Sequence, residues 1–378
     1  MFKKIVLLAL VVFMLCNTVY AVEELPCKSA LLMDYDTGIV LYEMNPHEKM
    51  PPASITKVMT MLLVMEEIES GKLKYSDWVT ASAYAKSMGG STIFLDEGEV
   101  MTVDNLLKGI AVSSGNDACV AIAEHISGTC DEFVKRMNER AKELGMKNTN
   151  FVNCNGLDAD GHYSTAYDIA LMSRELMKHD EIFKYTTIWM DSLRDGKFTL
   201  SNTNKLVRFY DGCTGLKTGS TSGAGFCLSA TAKRDGMHLI AVTMNSPTSK
   251  ERQSAASTLL NYGFGKYKIS LGVKSGESVK DISVERGIKA SVGLKFEDEV
   301  KYIVEKSAEK ELEVVYKLPK KVSAPVKEGD KAGEALCYLG DDLIGKSDIL
   351  YTENVSKVNF SYAYGKIIDT WLGNKNQF

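Results

Sequence analysis

The chain has 378 residues, of which 45% are hydrophobic and 25% charged, with a formal charge of −4. At roughly 150 residues per domain it holds about two domains. That composition excludes collagen-like and disordered chains. The slightly acidic balance excludes the general basic footprint of a nucleic-acid-binding protein.

Residues 1–21 read as a secretory leader. Lys3 and Lys4 open it, residues 5–15 form an uncharged apolar run, and Val19-Tyr20-Ala21 fits a small-residue cleavage site before Val22. The run is short for a membrane span, and Leu15 occupies the place where a lipoprotein signal at Cys16 needs a small residue. The expectation is an exported protein. The cysteines beyond the leader are Cys27, Cys119, Cys130, Cys154, Cys213, Cys227 and Cys337, an odd set with no CxxC spacing. At least one thiol is therefore unpaired within the chain, and the set reads mainly as small buried hydrophobes.

Residues 30–34 and 39–44 are apolar runs joined by Tyr35-Asp36-Thr37-Gly38, which predicts a hairpin. After Pro51-Pro52, residues 55–70 predict a strongly apolar helix stopped by Gly71. Helices follow at 103–112, 117–126, 131–144 and 166–178, the first two broken apart at Ser113-Ser114-Gly115-Asn116. Residues 225–232 and 238–244 are strand-like, and a last helix covers 249–262, closed by Gly263 and Gly265. Strands at both ends with helices between them predict one sheet built from distant parts of the chain, an α/β domain over 22–267. Short alternating runs at 279–284, 289–294, 301–304, 312–318 and 335–339 predict a small all-β domain over 268–350. In the tail, 351–378, Val358, Tyr362, Ile368, Trp371 and Leu372 recur at roughly helical spacing among lysines. That predicts an amphipathic helix that either lies on a membrane surface or packs on the protein itself.

Three short motifs carry chemistry. In Ser54-Ile55-Thr56-Lys57, residues three apart share a helix face, so the lysine sits beside the serine hydroxyl and, once neutral, accepts its proton. In Ser114-Gly115-Asn116, between two helices, a hydroxyl can relay protons and an amide can hold a substrate amide; alone, the triplet is an ordinary helix cap. In Lys217-Thr218-Gly219, followed by Ser220, a cation and a hydroxyl suit a carboxylate, and Gly219 admits substrate backbone beside an edge strand. Arg252 either adds charge for that carboxylate or is a surface arginine. The histidines His47, His125, His162, His179 and His238 are scattered without metal-ligand spacing, so no metal and no cofactor are expected.

In this order and spacing the motifs resemble those of the penicillin-interacting serine enzymes, with Gly115 where the commonest middle motif has Asp. Together with Pro51-Pro52-Ala53-Ser54-Ile55-Thr56-Lys57, Gly156-Leu157-Asp158, Gly161-His162-Tyr163-Ser164-Thr165-Ala166 and Gly215-Leu216-Lys217-Thr218-Gly219, the chain resembles the low-molecular-mass penicillin-binding proteins, the serine-type D-alanyl-D-alanine carboxypeptidases. The resemblance spans about residues 27–265. It implies a transpeptidase-like catalytic domain with an antiparallel sheet, a β-rich second domain and an amphipathic C-terminal anchor at the outer face of the cytoplasmic membrane. It implies that Ser54 forms an acyl-enzyme, Lys57 is the base for acylation, and Ser114 passes a proton towards the leaving D-alanine or helps activate the deacylating water. Asn116 would hold the substrate amide, Lys217 and Thr218 the terminal carboxylate, and Gly219 would let the substrate backbone approach. The N–H groups of Ser54 and Ser220 would form the oxyanion hole; Ser220 stands where some relatives carry histidine. The implied substrate is the peptidoglycan pentapeptide, with β-lactams as covalent inhibitors. A D,D-endopeptidase, a β-lactamase and a non-catalytic wall-binding scaffold are the alternatives.

Overall fold

The computed structural model describes residues 24–308 and 312–371; the leader expected at 1–21 lies outside them. The chain divides into two compact units at Lys266/Tyr267.

The first unit is built on five strands: β1 (Ser29–Asp34), β2 (Val40–Met44), β7 (Cys213–Thr221), β8 (Gly225–Arg234) and β9 (Met237–Ser246). Two short hairpins lie between them in sequence, β3 (Trp78–Thr80) with β4 (Val100–Thr102), and β5 (Met190–Leu193) with β6 (Phe198–Ser201). The main sheet has the order β2-β1-β9-β8-β7 and is antiparallel throughout. As the sequence predicts, it joins the two ends of the domain, with β1 paired to β9. The first hairpin closes because the Asp34 carboxylate accepts from the Thr37 amide at 2.8 Å and its hydroxyl at 2.7 Å.

The helices fall near their predicted places: α1 (Lys57–Glu69), α2 (Val103–Ser113), α3 (Asn116–Ser127), α4 (Cys130–Glu143), α5 (Ala166–Leu176) and α6 (Ser249–Lys266). Nine consecutive residues of α1, Lys57 to Met65, are buried. A helix apolar on every side is a core helix, and its N-terminus therefore lies deep in the domain. One expectation fails at α6. Gly263 does not stop the helix, which runs on to Lys266. A Cβ there would come within 2.5 Å of Leu239 and 2.9 Å of Leu32, so the glycine serves close helix–sheet packing. The edge strand expected at Gly219 is β7, whose extent the sequence does not mark because it is rich in glycine and polar residues; the two short hairpins have strands of only three or four residues and no sequence signal.

The second unit is all-β, as predicted. Its main sheet runs in the order Leu312–Lys317, Lys331–Leu339, Asp342–Tyr351, Ser291–Phe296, Ser278–Glu285, Lys321–Ser323. A separate pair joins Tyr267–Val273 to Val300–Glu305. Tyr351 and Val355 are buried, and Val355 bridges to Val326. Residues 351–355 therefore belong to this unit, and the tail helix, α7 (Phe360–Trp371), begins later than position 351. No helix among the described residues is long and apolar enough to cross a membrane.

Two buried histidines set an acid limit on the first unit. Burial lowers His162 and His238 from the ordinary value of 6.5 to about 4. Between those values the unfolded chain binds protons that the folded chain does not. Their stability is thus fully present above pH 6.5 and is lost as pH falls towards 4, by about 1.4 kcal/mol per histidine for each pH unit. Chemical denaturation at pH 7 and pH 5 is expected to show that loss, and His238→Gln to make the slope shallower.

Candidate active site

Ser54 lies in a 3-10 turn, Ala53–Thr56, immediately before α1, and Lys57 is the first α-helical residue. The motif therefore straddles the junction rather than sitting inside the helix as expected. The two side chains still meet: Lys57 Nζ donates to Ser54 Oγ at 2.9 Å. It also donates to Asn116 Oδ1 at 2.6 Å and to the Asn155 carbonyl at 2.5 Å. All three ammonium hydrogens are thus directed. Burial lowers the Lys57 pKa, since desolvation penalises the charged form. When neutral, the amine can keep two donor bonds, to Asn116 and Asn155, and turn its lone pair to the serine hydroxyl.

The approach to Ser54 is tightly packed. Ala53 has φ 48°, an uncommon left-handed conformation for a residue with a side chain. Gly156 has φ +90°, and a Cβ there would lie 1.9 Å from the Ala53 carbonyl oxygen. Gly219 is equally constrained from the other side: its Cβ would lie 2.8 Å from the Pro52 carbonyl oxygen and 3.0 Å from the Ser54 amide nitrogen. Only glycine lets β7 run beside the nucleophile's backbone. Ser220, the next residue, is exposed on that edge strand.

Ser114 caps the C-terminus of α2 in the left-handed region, φ 63° and ψ 33°. Its Oγ is buried and has no hydrogen-bond partner among the described residues. A strained backbone presenting an unpaired hydroxyl is costly, which makes this helix cap a candidate working group as well. Asn116 is held at three points. Its amide donates to the Ser91 carbonyl and its Nδ2 to the Gly89 carbonyl, both at 2.7 Å, while Oδ1 accepts from Lys57. One Nδ2 hydrogen is left for a substrate carbonyl. Asp117 does not face the serine; its carboxylate accepts from the amides of Ile93, Leu95 and Ala118.

Lys217 is 1% exposed, and the bond its Nζ makes is to the Thr218 carbonyl at 3.0 Å. Desolvation, and then the charge of Lys57, push its pKa well down. A bound anion beside Nζ would oppose both effects by favouring the charged form. The Thr218 and Thr203 hydroxyls lie 2.6 Å apart, and the Thr203 amide donates to the Val112 carbonyl at the end of α2. Arg252 is not a surface residue: it is 5% exposed and its Nη1 donates to the Gly219 and Cys227 carbonyls at 3.1 and 3.3 Å. It sits behind β7 and supports Gly219.

The three motifs, distant in sequence, are thus brought together: Lys57 bonds to Asn116, and Gly219 lies against the Ser54 amide. Sequence reasoning missed Asn155 and Thr203. The first acts through a backbone carbonyl, which every residue has. The second stands in a polar Ser-Asn-Thr-Asn run with no motif to mark it. His162 is structural, as its neighbours indicate: Nδ1 accepts from the Val152 amide at 2.9 Å, so Nε2–H donates to Thr56 Oγ1 at 2.8 Å.

A buried lysine hydrogen-bonded to a serine is the arrangement that an amine-activated serine nucleophile requires. The chain belongs to the D-alanyl-D-alanine carboxypeptidase family, which matches residues 17–248, and residues 267–357 match the penicillin-binding protein 5 C-terminal domain. It is 42% identical to D-alanyl-D-alanine carboxypeptidase DacF of Bacillus subtilis over 348 residues, 91% of this chain and 90% of that protein. It is 32% identical to DacC of Escherichia coli over 371 residues, 94% and 92% of the two chains. Among solved structures, penicillin-binding protein 5 of Haemophilus influenzae superposes with a TM-score of 0.75 at 32% identity, covering 89% of this chain and 99% of that one. Penicillin-binding protein D2 of Listeria monocytogenes, in its ampicillin-bound form, does so with a TM-score of 0.56 at 32% identity, over 64% and 98%.

Proposed function

We propose that this protein is an exported serine D,D-carboxypeptidase that removes the terminal D-alanine from peptidoglycan pentapeptides. The observation that carries the reading is the Lys57 ammonium bonded at once to Ser54, Asn116 and Asn155. Neutral Lys57 takes the Ser54 proton as Oγ bonds to the carbonyl carbon of the penultimate D-alanine. The N–H groups of Ser54 and Ser220 receive the oxyanion, a contribution of a few kcal/mol per donor. The C–N bond then breaks, and Ser114 passes a proton to the departing amine. Water hydrolyses the ester on Ser54. The substrate carboxylate lies against Lys217 and Thr218 and holds Lys217 charged.

A β-lactam acylates Ser54 by the same step. Asp117, the acidic residue next to the Ser114-Gly115-Asn116 motif, is spent on backbone amides. This supports a long-lived penicillin adduct rather than the fast turnover of a β-lactamase. Incubation with a pentapeptide ending in D-alanyl-D-alanine is expected to release free D-alanine. Cleavage of crosslinked muropeptides without that release would make the enzyme an endopeptidase. Lys217→Ala and Thr218→Val are expected to lower kcat/KM for the free-acid peptide by ten- to a hundred-fold, the roughly 1.5–3 kcal/mol of a charge-assisted bond. A C-terminally amidated analogue should lose far less, and equal losses would remove the carboxylate role.

The tail supports a place at the membrane surface. Phe360, Tyr364, Ile367 and Trp371 are exposed along α7 at spacings of four, three and four residues, which is one helix face. Tyr362, on another face, donates its hydroxyl to the Ile288 carbonyl at 2.9 Å. An apolar stripe with interfacial aromatics binds headgroup regions reversibly. Because Val355 is buried in the β unit, the test is a chain ending at Asn359. It should leave anionic vesicles while keeping activity on soluble peptides, whereas a full-length mature chain that stays off such vesicles would exclude the anchor.

A further inference from the structure

The Asn116 side chain is aimed by a strap, residues 89–95, that belongs to none of the three motifs. The Gly89 carbonyl accepts from Asn116 Nδ2 and the Ser91 carbonyl from its backbone amide, both at 2.7 Å. Between them Gly90, at φ +75°, passes so close that a Cβ there would lie 2.9 Å from Asn116 Nδ2. The next residue of the motif helix grips the strap a little further on. The Asp117 carboxylate accepts from the Ile93 and Leu95 amides at 2.9–3.1 Å.

A second grip comes from a distant part of the chain. Arg194, in the turn between β5 and β6, donates from Nη1 to the Ile93 carbonyl at 2.9 Å and from Nη2 to the Phe94 carbonyl at 3.0 Å. Its Nε and Nη2 also donate to the two carboxylate oxygens of Glu99 at 2.7 and 3.1 Å. Both side chains are partly buried. The planar fork of a guanidinium suits adjacent carbonyls and a carboxylate at once, which the point charge of a lysine does not. The backbone is unfavourable on both sides of this contact: Phe94 has φ 57°, and Arg194 and Asp195 each have φ 54°. Such conformations persist where the surroundings over-determine them. Phe94 is exposed, so its burial does not explain the arrangement, whereas the Arg194 bonds to its carbonyl and its neighbour's do.

We propose that Arg194 is a positioning residue for substrate binding: anchored on Glu99, it fixes the strap that aims the Asn116 side chain at the substrate's amide carbonyl. The inference rests on the carboxypeptidase reading, in which Asn116 holds that amide. Arg194 acts through backbone carbonyls, so its effect reaches the substrate by way of the strap. Without it the strap relaxes at Ile93 and Phe94, the Gly89 and Ser91 carbonyls shift, and the second Nδ2 hydrogen of Asn116 loses its aim.

The experiment compares acylation of the full chain by benzylpenicillin and by aminopenicillanic acid, the penicillin nucleus with an amine in place of the side-chain amide. Second-order rates are read by mass spectrometry of the intact protein. Arg194→Ala should slow benzylpenicillin by about three- to tenfold, the worth of one neutral hydrogen bond, and leave aminopenicillanic acid within about twofold. Arg194→Lys keeps a cation beside Glu99 but cannot hold both carbonyls. It should show the same selective loss in smaller degree, and it decides the matter where the alanine variant does not fold. A loss of merely structural origin slows both compounds alike; that result would overturn the proposal, as would unchanged rates with both. Equal rates for the two compounds on the unaltered chain would remove the Asn116 role and the inference with it. Absence of any adduct on the unaltered chain would remove the carboxypeptidase reading as well.

Discussion

Ser54→Ala is expected to abolish labelling by a tagged penicillin and to lower D-alanine release by at least about 10⁴-fold. The fold should survive, because Ser54 is half-buried and its hydroxyl bonds to Lys57 alone among the described side chains. The acylation step has no second candidate nucleophile in the same geometry. Ser114 carries a buried, unpaired hydroxyl but is not hydrogen-bonded to either buried lysine. Mass spectrometry of the intact protein after exposure to penicillin reads the result directly. A labelled adduct in the alanine variant would move the nucleophile elsewhere, and loss of near-UV circular dichroism would void the comparison.

Lys57→Met is expected to slow acylation by about 10²–10⁴-fold, the range for loss of a positioned general base. Methionine occupies similar space, and removing a desolvated amine offsets some of the cost of leaving the Asn155 carbonyl unpaired. The variant should therefore fold. The pH profile separates a base from a structural residue. Burial lowers the Lys57 pKa, and the reactive form is the neutral amine, so the acylation rate should rise with pH through that depressed value and fall below it. In Lys57→Met that acid limb should vanish. A variant with near-normal rates and an unchanged limb would show that another group takes the serine proton. None of the five histidines is hydrogen-bonded to Ser54; His162, the nearest in the motif set, is turned to Thr56 and Val152.

Much of this site was legible before the fold was known. The first hairpin, the apolar helix after Ser54 and the alternating strands of the second unit follow from local periodicity, which the chain expresses over a few residues. The order of Ser54-Ile55-Thr56-Lys57, Ser114-Gly115-Asn116 and Lys217-Thr218-Gly219 named the side chains that carry charge and hydroxyls. What periodicity does not encode is how pieces separated by about a hundred residues are brought together. That rests on β1 pairing with β9 and on β7 lying at the sheet edge beside Ser54. Neither pairing has a local signature, and β7 is disguised by Gly215 and Gly219, which are there for close approach rather than strand propensity. The roles of Asn155 and Gly156 were likewise tertiary. One uses a carbonyl common to all residues, the other the absence of a Cβ opposite Ala53. The surface alternative for Arg252 and the helix stop at Gly263 fail for a related reason. Arginine is usually solvated and glycine usually ends helices, yet two backbone carbonyls hold the first inside the domain, and Leu32 and Leu239 leave no room for a side chain at the second. Sequence determined which groups could do the chemistry; the packing of the sheet edge against the start of α1 decided that they would meet.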